Sequence, residues 1–138
     1  VNVIDSSGWL EWFADGPGAR HFAPALSDTD RLVVPAISIV EGFRVLLRQR
    51  GESAALAGAA VMRQAQVVAL DDALAMDGAR LSVMLRLPMA DSIILATARR
   101  FGAVLWTQDE DFASIDGVRY FGKRAADPDR AAPAAGGA

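Results

Sequence analysis

Short runs of valine and isoleucine alternate along this chain with longer stretches of helical period, and that alternation restricts it to few folds. Residues 1–4, 32–35, 67–70, 104–107 and 118–121 are brief apolar, β-branched runs that predict strands. Between them, 7–14, 19–27, 37–48, 52–64, 72–84 and 91–101 carry helical spacing, with stops at Gly51, Leu87-Pro88 and Gly102. Strands alternating with helices predict a three-layer α/β/α sandwich around a mostly parallel central sheet. No internal repeat interrupts this order. At 138 residues and 52% hydrophobic content, the chain supports a single core. Residues 1–123 are expected to form the working domain. Residues 124–138, rich in alanine, proline and glycine, are expected to form a flexible tail.

Several function classes drop out. No apolar run approaches the roughly 18–20 residues of a membrane span. The first residues lack the basic, apolar, small-residue order of a secretory signal. With no cysteine, disulfides and thiolate zinc sites are excluded. The expectation is a protein of the reducing cytoplasm with no membrane partner. A net charge of −3 by itself argues against nucleic acid. That count misleads if several carboxylates share one or two divalent ions, because the rest of the surface is then near neutral. Arginines cluster at Arg44, Arg48 and Arg50, at Arg80 and Arg86, and at Arg99-Arg100. Such clusters serve as solvated helix faces or as phosphate contacts.

Asp5, Glu41, Asp91, Asp109 and Asp111 each stand where an element starts or stops. Open α/β sheets carry their ligand sites at the carboxyl ends of the strands. Asp5 ends the first predicted strand, and Asp109 lies just past the fourth. Asp91 opens the helix that leads into that fourth strand. Glu41 lies one turn into the helix after the second strand. Four distant carboxylates are thereby expected at one edge.

Each also has a local reading. Asp5 suits an N-cap, Glu41 an ion pair with Arg44 or Arg48, Asp91 an N-cap or the first turn of a helix, and residues 109–111 an exposed acidic turn. Taken together they repel: two carboxylates about 4 Å apart cost roughly 4 kcal/mol at an effective dielectric near 20. A cation or a proton has to offset this. An all-oxygen set suits Mg2+ or Mn2+ and not zinc. His21, the single histidine, has no companion and reads as a surface or packing residue. Ser6 and Thr107 offer hydroxyls that orient such ligands, or that merely close local turns.

With these residues in view, the chain resembles the PIN-domain family, above all the toxin ribonucleases of VapBC toxin–antitoxin modules. The matching stretches are Val3-Ile4-Asp5-Ser6-Ser7, Ser38-Ile39-Val40-Glu41, Leu87-Pro88-Met89-Ala90-Asp91-Ser92-Ile93-Ile94-Leu95-Ala96-Thr97-Ala98, and Leu105-Trp106-Thr107-Gln108-Asp109-Glu110-Asp111-Phe112. The resemblance implies an Mg2+- or Mn2+-dependent endoribonuclease with Asp5, Glu41, Asp91 and Asp109 as its acidic site. It implies hydrolysis of RNA by metal-activated water, leaving a 3′-hydroxyl and a 5′-phosphate. Asp109 and Asp111 compete for the last ligand role: Asp109 matches the family's usual ligand, and Asp111, before Phe112, is the alternative ligand or a supporting residue that fixes the turn. A small VapB-like antitoxin and a homodimer are the implied partners. Arg44 and Arg48 are candidates for holding the RNA backbone.

Rival readings match less of the chain. A haloacid-dehalogenase-type phosphatase needs an Asp-x-Asp pair after the first strand, where this chain has Asp5-Ser6-Ser7. A phosphoacceptor receiver needs an early acidic pair and a late lysine, and Lys123 comes after the last predicted strand without that pair. A catalytically silent PIN-like interaction module is expected to lose acidic residues, yet every expected position is filled.

Overall fold

The computed structural model describes residues 1–122; the tail expected at 124–138 lies outside the described residues. Strands β1 (Asn2–Ile4), β2 (Leu32–Pro35), β3 (Gln66–Val68), β4 (Val104–Thr107) and β5 (Val118–Tyr120) form one sheet in the order β3-β2-β1-β4-β5. Every pairing is parallel, with Val3 opposite Val33 and Ile4 opposite Trp106 on either side of β1. The chain winds outward through β2 and β3, then crosses back to lay β4 on the other side of β1. That reversal leaves a switch point between the carboxyl ends of β1 and β4, where adjoining connections part and a crevice opens.

The helices are α1 (Ser6–Phe13), α2 (Ala23–Leu26), α3 (Ala36–Arg50), α4 (Glu52–Met62), α5 (Asp72–Leu85) and α6 (Met89–Arg100). The period-2 alternation of strand side chains sorts the core into two halves. Ile4, Val34 and Trp106 pack with Trp9, Phe22 and Met62 on one face of the sheet. Val3, Val33 and Leu105 pack with Leu74, Leu81, Ile94 and Leu95 on the other. The result is a three-layer α/β/α sandwich. Each fully buried large apolar side chain contributes about 1.5–3 kcal/mol, so both layers are firmly held.

The single helix expected over 19–27 is instead a 3-10 turn at Ala19–His21 followed by the short α2. Pro24, without a backbone N–H, occupies the start of α2, where that donor is not needed, and so favours a new helix over continuation of the turn. Phe22, between the two, is fully buried in the core. His21 packs against the core edge, its ring stacked 4.8 Å from that of Phe121. Helix α6 starts at Met89, right after Pro88, so Asp91 lies inside its first turn and not at its cap. Among the described residues no single helix is long and apolar enough to cross a membrane.

Close packing of α1 on the sheet depends on Gly8. A Cβ there would lie 2.6 Å from Phe22 Cε1 and 2.7 Å from Ile4 Cγ2. Without it, the helix can begin immediately after β1 and carry its first residues directly over the switch point.

Candidate metal centre

Asp5 continues β1 by one residue, its N–H donating to the Trp106 carbonyl at 2.9 Å. It stands at the N-cap of α1 but makes no side-chain capping bond. Its Oδ2 instead accepts from the hydroxyls of Thr107 at 2.7 Å and Ser7 at 2.8 Å. At 2% exposure, burial pushes this carboxyl above its ordinary range, the hydroxyls of Thr107 and Ser7 pull it back, and the charge of Asp109 raises it further.

Glu41 sits on α3, half-buried, and accepts a short hydrogen bond from the Ser6 hydroxyl. No ion pair joins it to Arg44 or Arg48 among the described residues. Burial raises its carboxyl, Ser6 lowers it, and the charge of Asp5 raises it again. Ser6 therefore serves Glu41, and Thr107 serves Asp5.

Asp91 is the hub. Its carboxyl is pushed up to about 7 by burial and then by the charges of Asp5, Asp109, Glu41 and Asp111. Those four charges put every other sequence-selected carboxylate within electrostatic reach of Asp91. The tightest group is Asp91, Asp109 and Asp111, each offering a carboxylate oxygen within 4.8 Å of the others.

The turn after β4 is closed by Asp109, whose Oδ1 accepts from the Asp111 N–H at 2.9 Å and caps the 3-10 turn Glu110–Phe112. Phe112, fully buried, anchors the turn in the core. The Asp111 carboxylate is thereby brought to Asp91 and Asp109, while Asp5 and Glu41 flank the trio.

The donor set is entirely carboxylate oxygen, and its central member, Asp91, is pushed up to about 7 by burial and then by its acidic neighbours. Such a set fits a hard divalent ion, which replaces the proton and cancels the repulsion. Mg2+ and Mn2+ match on both counts.

Sequence reasoning missed three contributors. Ser7 links Asp5 to the Gln108 N–H, which donates to its hydroxyl at 3.3 Å. Gln108 is 7% exposed, and its amide donates to Glu11 Oε1 at 3.3 Å. Ser7 and Glu11 lie four residues apart on α1, a spacing that puts both on one face and was visible in the sequence. Nothing in the sequence marked Gln108. Beside these residues a cleft of about 360 Å³ opens between α1 and α3, lined by Ser7, Leu10, Phe13, Gln49, Arg50 and Gln108.

A family model described as PIN domain matches residues 3–118, a span that holds all five carboxylates. Among solved structures, a toxin–antitoxin complex from Klebsiella pneumoniae matches at 21% identity and a TM-score of 0.74, covering 86% of this chain and 96% of that one. VapC20 from Mycobacterium tuberculosis, a sarcin–ricin loop cleaving toxin, matches at 20% identity and a TM-score of 0.71, covering 84% and 95%. DNA-bound VapBC from Salmonella typhimurium matches at 18% identity and a TM-score of 0.67, covering 86% and 95%. At these identities the likeness is one of fold. No curated protein matches the sequence.

Proposed function

We propose, from the premise that the chain belongs to the PIN-domain family, that it is a divalent-metal-dependent endoribonuclease and the toxin of a toxin–antitoxin pair. The observation that carries this reading is the Asp91–Asp109–Asp111 group, with oxygens within 4.8 Å of one another at the carboxyl edge of the sheet. Asp5 and Glu41, whose charges reach Asp91, complete the acidic site in this reading. The fold supports the reading too, since the structures it resembles include toxins and toxin–antitoxin complexes.

Mg2+ or Mn2+, when bound, supplies an activated water and offsets charge on the phosphoryl and leaving oxygens. Asp91, Asp109 and Asp111 would hold the ion. Asp5, fixed by Thr107 and Ser7, and Glu41, fixed by Ser6, hold their carboxylates in place around it. The same negative charge excludes the RNA phosphate from the empty cage, so substrate and ion bind in support of each other. Arg44 and Arg48 are exposed on α3, and Arg50 lines the neighbouring cleft; in this reading they are the candidates for contacting the RNA backbone. A small VapB-like antitoxin, a homodimer and a cytoplasmic site of action belong to the same reading.

Purified protein with Mn2+ should cut a structured RNA to fragments bearing 5′-phosphates, and chelation should stop it. Asp5→Asn and Asp91→Asn should each reduce cutting by at least about 100-fold while the protein still melts cooperatively. Cutting by both variants at the wild-type rate would contradict the assignment.

A further inference from the structure

We propose that Glu11 is a positioning residue for the metal centre, acting through Gln108 on the loop that carries Asp109 and Asp111. The inference rests on the metal-site reading above and adds a residue that lies outside the acidic group. Glu11 is on α1, one turn beyond Ser7 and half-buried. Its Oε2 accepts from the Gly18 N–H at 2.7 Å, and its Oε1 accepts from Gln108 Nε2 at 3.3 Å.

The chain is shaped around this carboxylate. A Cβ at Gly16 would lie 2.4 Å from Glu11 Oε2. A Cβ at Gly18 would lie 2.9 Å from Gln108 Oε1 and 3.2 Å from Glu11 Oε2. Both glycines leave room for the Glu11–Gln108 pair, so the loop after α1 closes over it.

Gln108 immediately precedes Asp109. Around it, Thr107 Oγ1 donates to Asp5, the Gln108 N–H donates to Ser7 Oγ, and Gln108 Nε2 donates to Glu11. The Asp109 N–H in turn donates to Thr107 Oγ1 at 2.9 Å. Of these links the one to Glu11 is the only hydrogen bond made by the Gln108 side chain among the described residues. It ties the start of the acidic turn to the rigid body of α1. Three carboxylates that repel one another would otherwise relax by moving the turn outward, and an ion would then have to draw it back. Groups that orient metal ligands from behind typically change metal affinity by about 10–100-fold when removed.

Mn2+ binding by calorimetry, on the full chain without RNA, tests this. Glu11→Ala and Gln108→Ala should each weaken Mn2+ binding by about tenfold. The double variant should be no weaker than the poorer single variant, because both changes cut one link. Glu11→Gln keeps an acceptor for Gly18 and a polar end for Gln108, and should bind within about threefold of wild type. Gln108→Ala leaves the Glu11–Gly18 bond intact, so it reports on the link even if Glu11→Ala fails to fold. Unchanged affinity in the alanine variants, with only a lower melting temperature, would overturn the proposal, as would effects that multiply in the double variant. A wild-type protein that binds no Mn2+ would overturn the metal reading itself, and with it this inference, before any variant is compared.

Discussion

Asp91 concentrates the electrostatic tension of the molecule. In the folded protein its carboxyl sits near 7 against an ordinary value of 3.8, chiefly through burial and then through its acidic neighbours. Between those values the native state keeps the proton and the unfolded chain has lost it. The metal-free protein should therefore lose stability as pH rises from about 4 to about 7 and level off above. Asp71 does not mask this: Arg100 holds it down at about 2, so its contribution is complete above pH 4 and lost only in strong acid. Melting curves with a chelator across pH 5–8 should show the decline, and Asp91→Asn should make it shallower, with Asp5 and Glu41, both raised by burial, carrying the remainder. The same variant should be more stable than wild type at pH 7.5 without metal, by on the order of 1 kcal/mol after allowance for solvent screening of a half-exposed group. Thr107→Val has the opposite sign. It removes the donor to buried Asp5 and the acceptor for the Asp109 N–H, and should cost about 1–3 kcal/mol in chemical denaturation. The sequence could show the acidic residues because each interrupts a patterned element. It could not show that Asp109 caps the turn and leaves the exposed Asp111 carboxylate beside it, since that choice is made by a backbone N–H and a buried Phe112.

At the level of elements, the centre depends on how directly α1 follows β1. Gly8 permits that junction by leaving no Cβ to strike Phe22 or Ile4. Gly8→Ala should lift α1 off the sheet and cost about 1–3 kcal/mol by overpacking, lowering the melting temperature by roughly 3–6 °C per kcal/mol. Because Ser7 moves with the helix, Mn2+ affinity should fall as well, which an overpacked site remote from the centre would not cause. The central strands were legible because runs such as Val33-Val34 and Leu105-Trp106 are apolar on both sides, the mark of strands buried on both faces. The broken helix over 19–27 was not, since its apolar spacing survives the break. Pro24 was the one visible signal, and its effect depends on Phe22 turning into a core that the sequence does not display.

Across the whole molecule, function follows from winding. The sheet order β3-β2-β1-β4-β5 puts the ends of β1 and β4 side by side, and residues about a hundred positions apart, Asp5 and Thr107, meet there. The sequence implied this convergence only through the fold class; the reversal between β3 and β4 is a property of chain path and leaves no local signature. Under the proposed metal reading, stability and metal occupancy form one linked equilibrium. Mg2+ at 10–100 times its dissociation constant should add about 1–3 kcal/mol to the wild type and little to Asp91→Asn. The most direct measurement is anomalous diffraction from a crystal soaked in Mn2+. The account predicts an anomalous peak coordinated by Asp91 and Asp109, with Asp111 in contact. A fully soaked crystal with no peak there, or with its manganese bound elsewhere, would contradict it.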